Sequence, residues 1–181
     1  LLIAAKHGYP RAMFNLALSY GNDEPQDLEE WFYWIDRASS RGYPLACRAL
    51  AHFYQHGNFE LEINHQRAFE LLTDASTNAG CPIAQYELAI LYANGMGTPH
   101  DLEQSYLFAR ISLVNPRATD ETKSNANHVL NQISGDITED QRSELNQKAD
   151  EFRPDDNQRI MNMMTDETTV HYSLWGDRIF D

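Results

Sequence analysis

The chain carries the sequence Gly-Cys-Pro-Ile-Ala from Gly80 to Ala84, and two close copies of this segment precede it. The copies read Gly-Tyr-Pro-Leu-Ala at residues 42–46 and Gly-Tyr-Pro-Arg-Ala at residues 8–12, so they begin 34 and 38 residues apart. Self-similarity at a fixed period of about 20–50 residues is typical of proteins built from stacked structural repeats. We therefore take the repeat as the unit of structure.

Each copy continues in register, because its alanine is followed at steps of four residues by a leucine and then a tyrosine. The three sets are Ala12, Leu16 and Tyr20; Ala46, Leu50 and Tyr54; and Ala84, Leu88 and Tyr92. Residues four apart share one face of an α-helix. Glycine commonly ends the preceding helix, and proline is suited to the first helical turn. Each repeat therefore begins with a helix that has an apolar stripe.

A second helix is expected in each repeat, at about residues 26–41, 65–79 and 99–114. Corresponding positions hold Trp31 and Ala38, Ala68 and Ala75, and Ser105 and Ser112. Small side chains allow neighbouring helices to approach closely. The aromatic run at residues 31–34 is interpreted as filling the seam between repeats through Trp31 and Trp34, and a ligand-stacking box is the alternative.

The pattern predicts one repeat domain at residues 1–152 and an acidic C-terminal tail at 153–181. The domain is expected to begin with the end of a truncated repeat at residues 1–7. Three repeats follow at residues 8–41, 42–79 and 80–114, and a capping helix pair ends the domain at residues 115–152. The first capping helix is expected to begin at Asn115-Pro116 and to share a face among Ala126, Val129, Leu130 and Ile133. Thr138-x-x-Gln141 has the form of a capping box that opens the second capping helix.

The spacing Ala-x-x-x-Leu-x-x-x-Tyr-x-x-Gly resembles the Sel-one-like repeats, which are relatives of the tetratricopeptide repeats. The best copy runs through Ala84, Leu88, Tyr92, Gly95, Gly97 and Asp101, with Ser105 where the family usually has alanine. The loops at 21–27 and 57–64 lack the Gly-x-Gly spacing of that copy. The resemblance implies an all-α fold, a right-handed α-α superhelix (solenoid) of tetratricopeptide-like helix-turn-helix repeats, and a role in protein–protein interaction.

By register with the tetratricopeptide relatives, the resemblance also implies a partner-binding concave surface on the first helices. Its residues are Phe14, Leu18, Arg48, His52, Gln55, Tyr86, Ile90 and Asn94. Apolar anchors around a cation and amides suit an extended or helical peptide, with Arg48 binding a carboxylate or a backbone carbonyl. The alternative is that these are ordinary surface residues, such as any helix carries.

The sequence shows no motif for catalysis, so we predict no catalytic residue and no cofactor. Gly95-Met96-Gly97 follows no predicted strand, and Gly-x-Ser-x-Gly, Walker-type and Ser-x-x-Lys motifs are absent. His52 and His56 have the spacing at which two imidazoles share a metal. No third ligand is identifiable, so we interpret them as solvated helix histidines and predict no metal site.

The net charge is −13, and 12 of the 27 acidic residues lie in 136–181. Nucleic acid and anionic lipid are therefore poor partners, and another protein or peptide, with a basic one favoured, is the better expectation. No apolar stretch is long enough for membrane insertion. The two cysteines are expected to be free, although a single disulfide stays open. The start at Leu1 is interpreted as a cut edge, with the oligomeric state and the compartment, bacterial periplasm or cytoplasm, left open.

The leading hypothesis is a non-catalytic scaffold or adaptor. One alternative is a bacterial envelope enzyme or cell-wall-ligand binder of β-lactamase-like activity, which the resemblance implies through cysteine-rich members of the family. Those members carry a disulfide pair in each repeat, whereas this chain has two cysteines altogether. The other alternative is an acidic immunity or inhibitor protein that masks a basic effector.

Overall fold

The computed structural model describes residues 1–22, 27–57 and 61–152, and these residues form nine α-helices, one 3-10 turn and no strand. The helices are α1 (Leu2–Lys6), α2 (Pro10–Asn22), α3 (Leu28–Ser39), α4 (Pro44–His56), α5 (His65–Thr77), α6 (Pro82–Asn94), α7 (Leu102–Val114), α8 (Asp120–Ile133) and α9 (Glu139–Glu151). Each helix from α1 to α7 packs against the next one along the chain, and α9 packs against α7. The prediction of an all-α solenoid is confirmed.

The first helices of the repeats, α2, α4 and α6, begin at the prolines that the sequence pattern marks. Pro44 and Pro82 occupy the first turns of α4 and α6, after N-cap residues in extended conformation. The glycine two residues before each proline has a positive φ, 72° at Gly42 and 59° at Gly80. Such a backbone disfavours residues with a Cβ, so glycine followed by proline separates one helix from the next.

The second helices, α3, α5 and α7, begin where a side chain caps them. Asp27, Asn64 and Asp101 each accept a hydrogen bond from the backbone N–H three residues later, at 3.1, 2.9 and 2.9 Å. Side-chain caps of this kind satisfy N–H groups that the helix itself leaves unpaired. The predicted starts at about 26 and 99 are therefore wrong by two to three residues, whereas the start at 65 is confirmed.

The apolar stripe of the first helices forms the core of the solenoid. Leu50 and Leu88 are fully buried and Leu16 is 7% exposed, while the tyrosines of the stripe are half-buried. Tyr92 lies between two rings of neighbouring helices, with ring centroids 5.3 Å from Phe69 and 5.8 Å from Phe108. Full burial of one large apolar side chain contributes about 1.5–3 kcal/mol. The stripe therefore joins successive helices.

The aromatic run of α3 fills the seam between the first two repeats. Trp31 and Trp34 are 3% and 5% exposed, and the Trp31 ring meets Phe53 of α4 edge to face, with centroids 4.7 Å apart. The small residues at the predicted positions of α3, α5 and α7 are almost completely buried. The seam interpretation is confirmed, because neither indole is exposed enough to stack on a ligand.

The terminal helices α8 and α9 both begin after a threonine N-cap, and only the start of α9 agrees with the prediction. The predicted capping box is confirmed, since Thr138 and Gln141 each bond the other's backbone N–H. The predicted start of α8 at Asn115-Pro116 is wrong, and α8 begins at Asp120 after the N-cap Thr119. The Asn115 side chain donates to the Gly80 carbonyl at 3.0 Å and accepts from the Arg117 backbone N–H at 2.9 Å, which holds residues 115–119 as a turn.

The loop between α6 and α7 lies directly against the start of α5. A Cβ placed on Gly97, where φ is 72°, would lie 2.1 Å from the His65 carbonyl oxygen. Only glycine allows the two backbones to approach this closely. The Gly-x-Gly spacing of the third repeat thus has a packing reason. Residues 23–26 and 58–60 in the first two loops, and the tail 153–181, lie outside the described residues.

Cys47 and Cys81 are free thiols, and both are buried. Burial raises the pKa of Cys47 to about 12 and also raises that of Cys81. Since the thiolate is the reactive form, these cysteines pack as small apolar side chains. None of the helices in the described ranges combines the length and apolar character that a bilayer crossing needs.

Candidate functional site

The candidate site is the first-helix face, by which we mean the partly exposed residues of α2, α4 and α6 that lie outside the apolar stripe. Seven of the eight residues predicted for partner binding are on this face: Leu18, Arg48, His52, Gln55, Tyr86, Ile90 and Asn94. All but Asn94 are partly buried, and Asn94 is exposed. Partial exposure leaves their polar ends and apolar flanks accessible to another molecule.

Phe14 differs from the other seven, because it is buried in the core. Its side chain is 7% exposed, and its ring centroid lies 5.2 Å from that of Tyr43, which precedes α4. The helical register correctly places Phe14 level with Arg48 and Tyr86, but the large apolar ring packs under the following repeat. Phe14 therefore contributes to the seam rather than to an accessible surface.

The centre of the face is an ion pair between Arg48 of α4 and Glu87 of α6. The Arg48 Nε lies 2.8 Å from the Glu87 Oε1, and the two side chains retain 25% and 22% of their exposed area. Burial alone would lower the pKa of Arg48, but the charge and hydrogen bond of Glu87 raise it above its ordinary value. Burial raises the pKa of Glu87, and the Arg48 charge partly offsets that rise.

Tyr86 lies beside this pair and links α6 to α8. Its hydroxyl accepts a hydrogen bond from the Asn125 side-chain amide at 3.5 Å. Burial raises the pKa of Tyr86, and the charges of Glu87 and Glu121 are additional causes, so the ring is a neutral phenol. The structure thus brings Arg48, Glu87 and Tyr86 together. Asn125 extends the same face onto the capping helices.

His52 and His56 stack one turn apart on α4, with ring centroids 4.1 Å apart. Burial lowers the pKa of His52 to about 4, and the charges of His56 and Arg48 add to this effect. His52 is therefore a neutral imidazole near pH 7. The His56 Nδ1 donates to the His52 carbonyl at 2.9 Å. Within the described residues, no group of three or more His, Cys, Asp or Glu side chains is placed to hold a metal.

Three other predicted residues in the described ranges, Leu18, Gln55 and Asn94, are not bonded to the Arg48–Glu87 pair. The Asn94 amide donates to the Ile90 carbonyl at 2.9 Å at the end of α6, and Leu18 of α2 packs partly on the core. Gln55 lies near the end of α4. In the described part of the chain, Leu18, Gln55 and Asn94 share no hydrogen bond or ion pair with Arg48, Glu87 or Tyr86.

Glu87 is the residue of the candidate site that sequence reasoning missed. It follows Tyr86 directly, so it lies one position after a residue of α6 that is predicted to bind a partner. The signal in the sequence is an acidic residue on one first helix, one position after the register position that holds a basic residue on the preceding first helix. Chemically, the face offers hydrogen-bond donors, acceptors and apolar surface.

A separate cleft of about 310 Å³ opens near the start of α2. It is lined by Leu1, Tyr9, Pro10, Arg11, Ala12 and Asn15. Two of its lining residues, Leu1 and Tyr9, have exposed side chains. Its lining is mainly apolar.

Comparison with known proteins supports the repeat assignment. The Sel1 repeat family model matches residues 10–43, 44–78 and 82–112. The structure is similar to that of a Sel1 repeat protein from Oxalobacter formigenes, with a TM-score of 0.61, 25% identity, and coverage of 68% of this chain and 92% of that chain. No curated protein matches the chain.

The fold also resembles that of a protective antigen present in uropathogenic Escherichia coli strains, which displays an SLR fold. The TM-score is 0.69 at 20% identity, and 92% of this chain is covered. The chain spans 35% of the length of that antigen. The three matched repeats cover more than half of the chain in consecutive units, as its own glycine-proline pattern predicts. The chain belongs to the Sel1 repeat family.

Proposed function

We propose that the chain is a non-catalytic interaction scaffold, or adaptor, that binds a partner polypeptide on its first-helix face. Sel1 repeat proteins are generally protein-interaction scaffolds. Solenoids of this kind present one extended surface across several repeats, because each repeat contacts only its neighbours. The proposal adds to this general role the particular surface and the residues that bind.

One observation carries the proposal: the Arg48–Glu87 pair spans two repeats and is partly exposed beside Tyr86. The leucines of the stripe are buried in the seams, whereas this group leaves polar atoms accessible. Aromatic and arginine residues dominate the energetics of protein interfaces when they become fully desolvated on binding. A partner seated here would bury Tyr86 and Arg48 together with the flank of Ile90.

The charge of the chain favours a basic partner. The net charge of −13 would attract a basic protein over long range and repel nucleic acid or anionic lipid. The Arg48–Glu87 pair itself is neutral, so specificity at the centre of the face rests on hydrogen bonds and shape. Overall charge would act mainly on the rate of association.

Site-specific photo-crosslinking tests the proposal. The full chain is prepared with Tyr86→p-benzoylphenylalanine, and its matched control carries Tyr33→p-benzoylphenylalanine on α3, where Tyr33 is 46% exposed. We expect the residue substituted at position 86 to crosslink a protein in extracts of the source cells, and the same protein to bind the purified chain. The residue substituted at position 33 should crosslink none. Equal crosslinking of one protein from both positions, or crosslinking from Tyr33 alone, contradicts the proposal.

A further inference from the structure

We propose that the Arg48–Glu87 pair binds the main chain of an extended polypeptide segment. Arg48 donates a hydrogen bond to a peptide carbonyl, and Glu87 accepts one from a peptide N–H. This inference rests on the proposed function of the first-helix face and specifies what that face recognises. It selects an extended ligand over a helical one. It also selects a main-chain carbonyl, rather than a carboxylate, as the group that Arg48 binds.

The pair uses only part of its hydrogen-bonding capacity within the protein. Arg48 donates to Glu87 from Nε alone, at 2.8 Å, and Glu87 accepts through Oε1 alone. Among the described residues, no other group bonds the two terminal amino groups of Arg48 or the Oε2 of Glu87. Both side chains are about one quarter exposed, so a ligand can reach these atoms. Donors and an acceptor therefore lie side by side.

A peptide group presents the complementary set, one carbonyl acceptor and one N–H donor. In an α-helix these groups are bonded to one another except at the ends, so a bound helix would leave the pair unsatisfied. An extended segment has them free along its edges, as in strand addition to a sheet, where main-chain hydrogen bonds supply affinity. The pair is therefore matched to an extended main chain.

The charges around the pair disfavour a carboxylate ligand. Glu87 already neutralises Arg48, and Glu121 adds another acid close to Tyr86. His52, which lies one turn after Arg48 on α4, is neutral near pH 7 and supplies no further cation. A second carboxylate would meet repulsion from Glu87 at short range, whereas a neutral peptide group would not. Burying the already neutral pair against a peptide avoids leaving a lone charge desolvated.

The experiment uses peptides whose main chain can be altered one atom at a time. Random 12-residue peptides with amidated C-termini are selected for binding to the full chain, and the tightest becomes the probe. The probe is resynthesised with one N-methyl group at each position in turn. The protein variant is Arg48→Met/Glu87→Met, which removes both charges together and so leaves neither unpaired, and the control is Arg37→Met on α3. Melting curves establish that each variant folds.

We expect one N-methylated position to weaken binding at least about tenfold, which is the effect of losing one hydrogen bond to a charged group. The double variant weakens the unmodified probe by a similar factor or more, and the critical N-methyl group then adds little. The control leaves the dissociation constant within about twofold. This non-additivity is the signature of direct contact between the pair and one peptide group.

Other outcomes overturn the inference, and they distinguish it from the proposed function. If Tyr86→Ala abolishes binding while the double variant and every N-methyl group have no effect, the face binds polypeptide but the pair does not read the main chain. If all selected peptides require an acidic side chain that Arg48 binds, carboxylate recognition replaces the inference. If no peptide is enriched over a Tyr86→Ala/Ile90→Ala chain, both the inference and the proposed function fail.

Discussion

Arg48 and Glu87 stand 39 positions apart in the sequence, yet their side chains meet at 2.8 Å and join the first helices of two successive repeats. The pair is an interaction between repeats that does not belong to the apolar stripe. Because it is partly exposed, it contributes to the surface as well as to the seam. Its effect on stability can therefore be measured separately from the proposed effect on binding.

Removing one partner of this pair is expected to destabilise the chain more than removing both. Arg48→Met leaves Glu87 unpaired at 22% exposure, which should cost roughly 1–3 kcal/mol, between the effects for exposed and buried pairs. Arg48→Met/Glu87→Met should change the free energy of unfolding by less than about 1 kcal/mol. Urea denaturation of the two variants measures both. A double variant less stable than the single one would refute this description of the pair.

Gly97 should be intolerant of any side chain. In Gly97→Ala the new Cβ would clash with the His65 carbonyl oxygen at a φ of 72°, so the loop must move and we expect a loss of at least roughly 2 kcal/mol. Gly135→Ala is the matched control, since its Cβ would meet nothing within 4 Å. Thermal melting compares them. Equal melting temperatures would mean that the close approach of α5 and the α6–α7 loop is absent in solution.

His52 should make the stability depend on pH. Its pKa is lowered from an ordinary 6.5 to about 4, by burial first and then by the charges of His56 and Arg48. The unfolded state therefore takes up a proton that the folded state excludes, so the contribution of His52 is present above pH 6.5 and is lost as pH falls toward 4. Because the ring is partly exposed, we expect roughly 1–2 kcal/mol.

The measurement for His52 is a pair of urea titrations at pH 7 and pH 4.5, made on the wild-type chain and on His52→Gln. The wild-type chain should lose more stability between the two pH values than the variant does. NMR titration of the imidazole gives the pKa directly. A His52 pKa near 6.5 would show that the ring is solvated.

Local patterns explain why most of the fold was predictable. The Gly-x-Pro segments act at the junction of two consecutive helices, the Ala-Leu-Tyr stripe acts within one helix, and the Thr138–Gln141 box acts within one turn, so each leaves a local signature in the sequence. The start of α8 was not predictable in this way. It depends on Asn115 bonding the Gly80 carbonyl, a contact between residues 35 positions apart.

The site was less predictable than the fold, because it also depends on contacts between residues that are distant in the sequence. Helical register identifies which residues leave the stripe, and it placed Arg48 and Tyr86 correctly on a partly exposed face. It does not show which residues a neighbouring repeat covers, so it predicts a surface position for Phe14, whose ring instead packs on Tyr43. Nor does it show pairing between repeats, so Glu87 was missed.

The most direct test of partner binding at the first-helix face compares two matched pairs of substitutions. Arg48→Ala/Tyr86→Ala removes an arginine and a tyrosine from the proposed site, and Tyr33→Ala/Arg37→Ala removes the same residue types from α3, where they contact one another. The dissociation constant is measured for the protein that crosslinks through position 86. We predict weakening of at least about 100-fold for the first pair and less than about threefold for the second. Equal dissociation constants for the two pairs would contradict binding at this face.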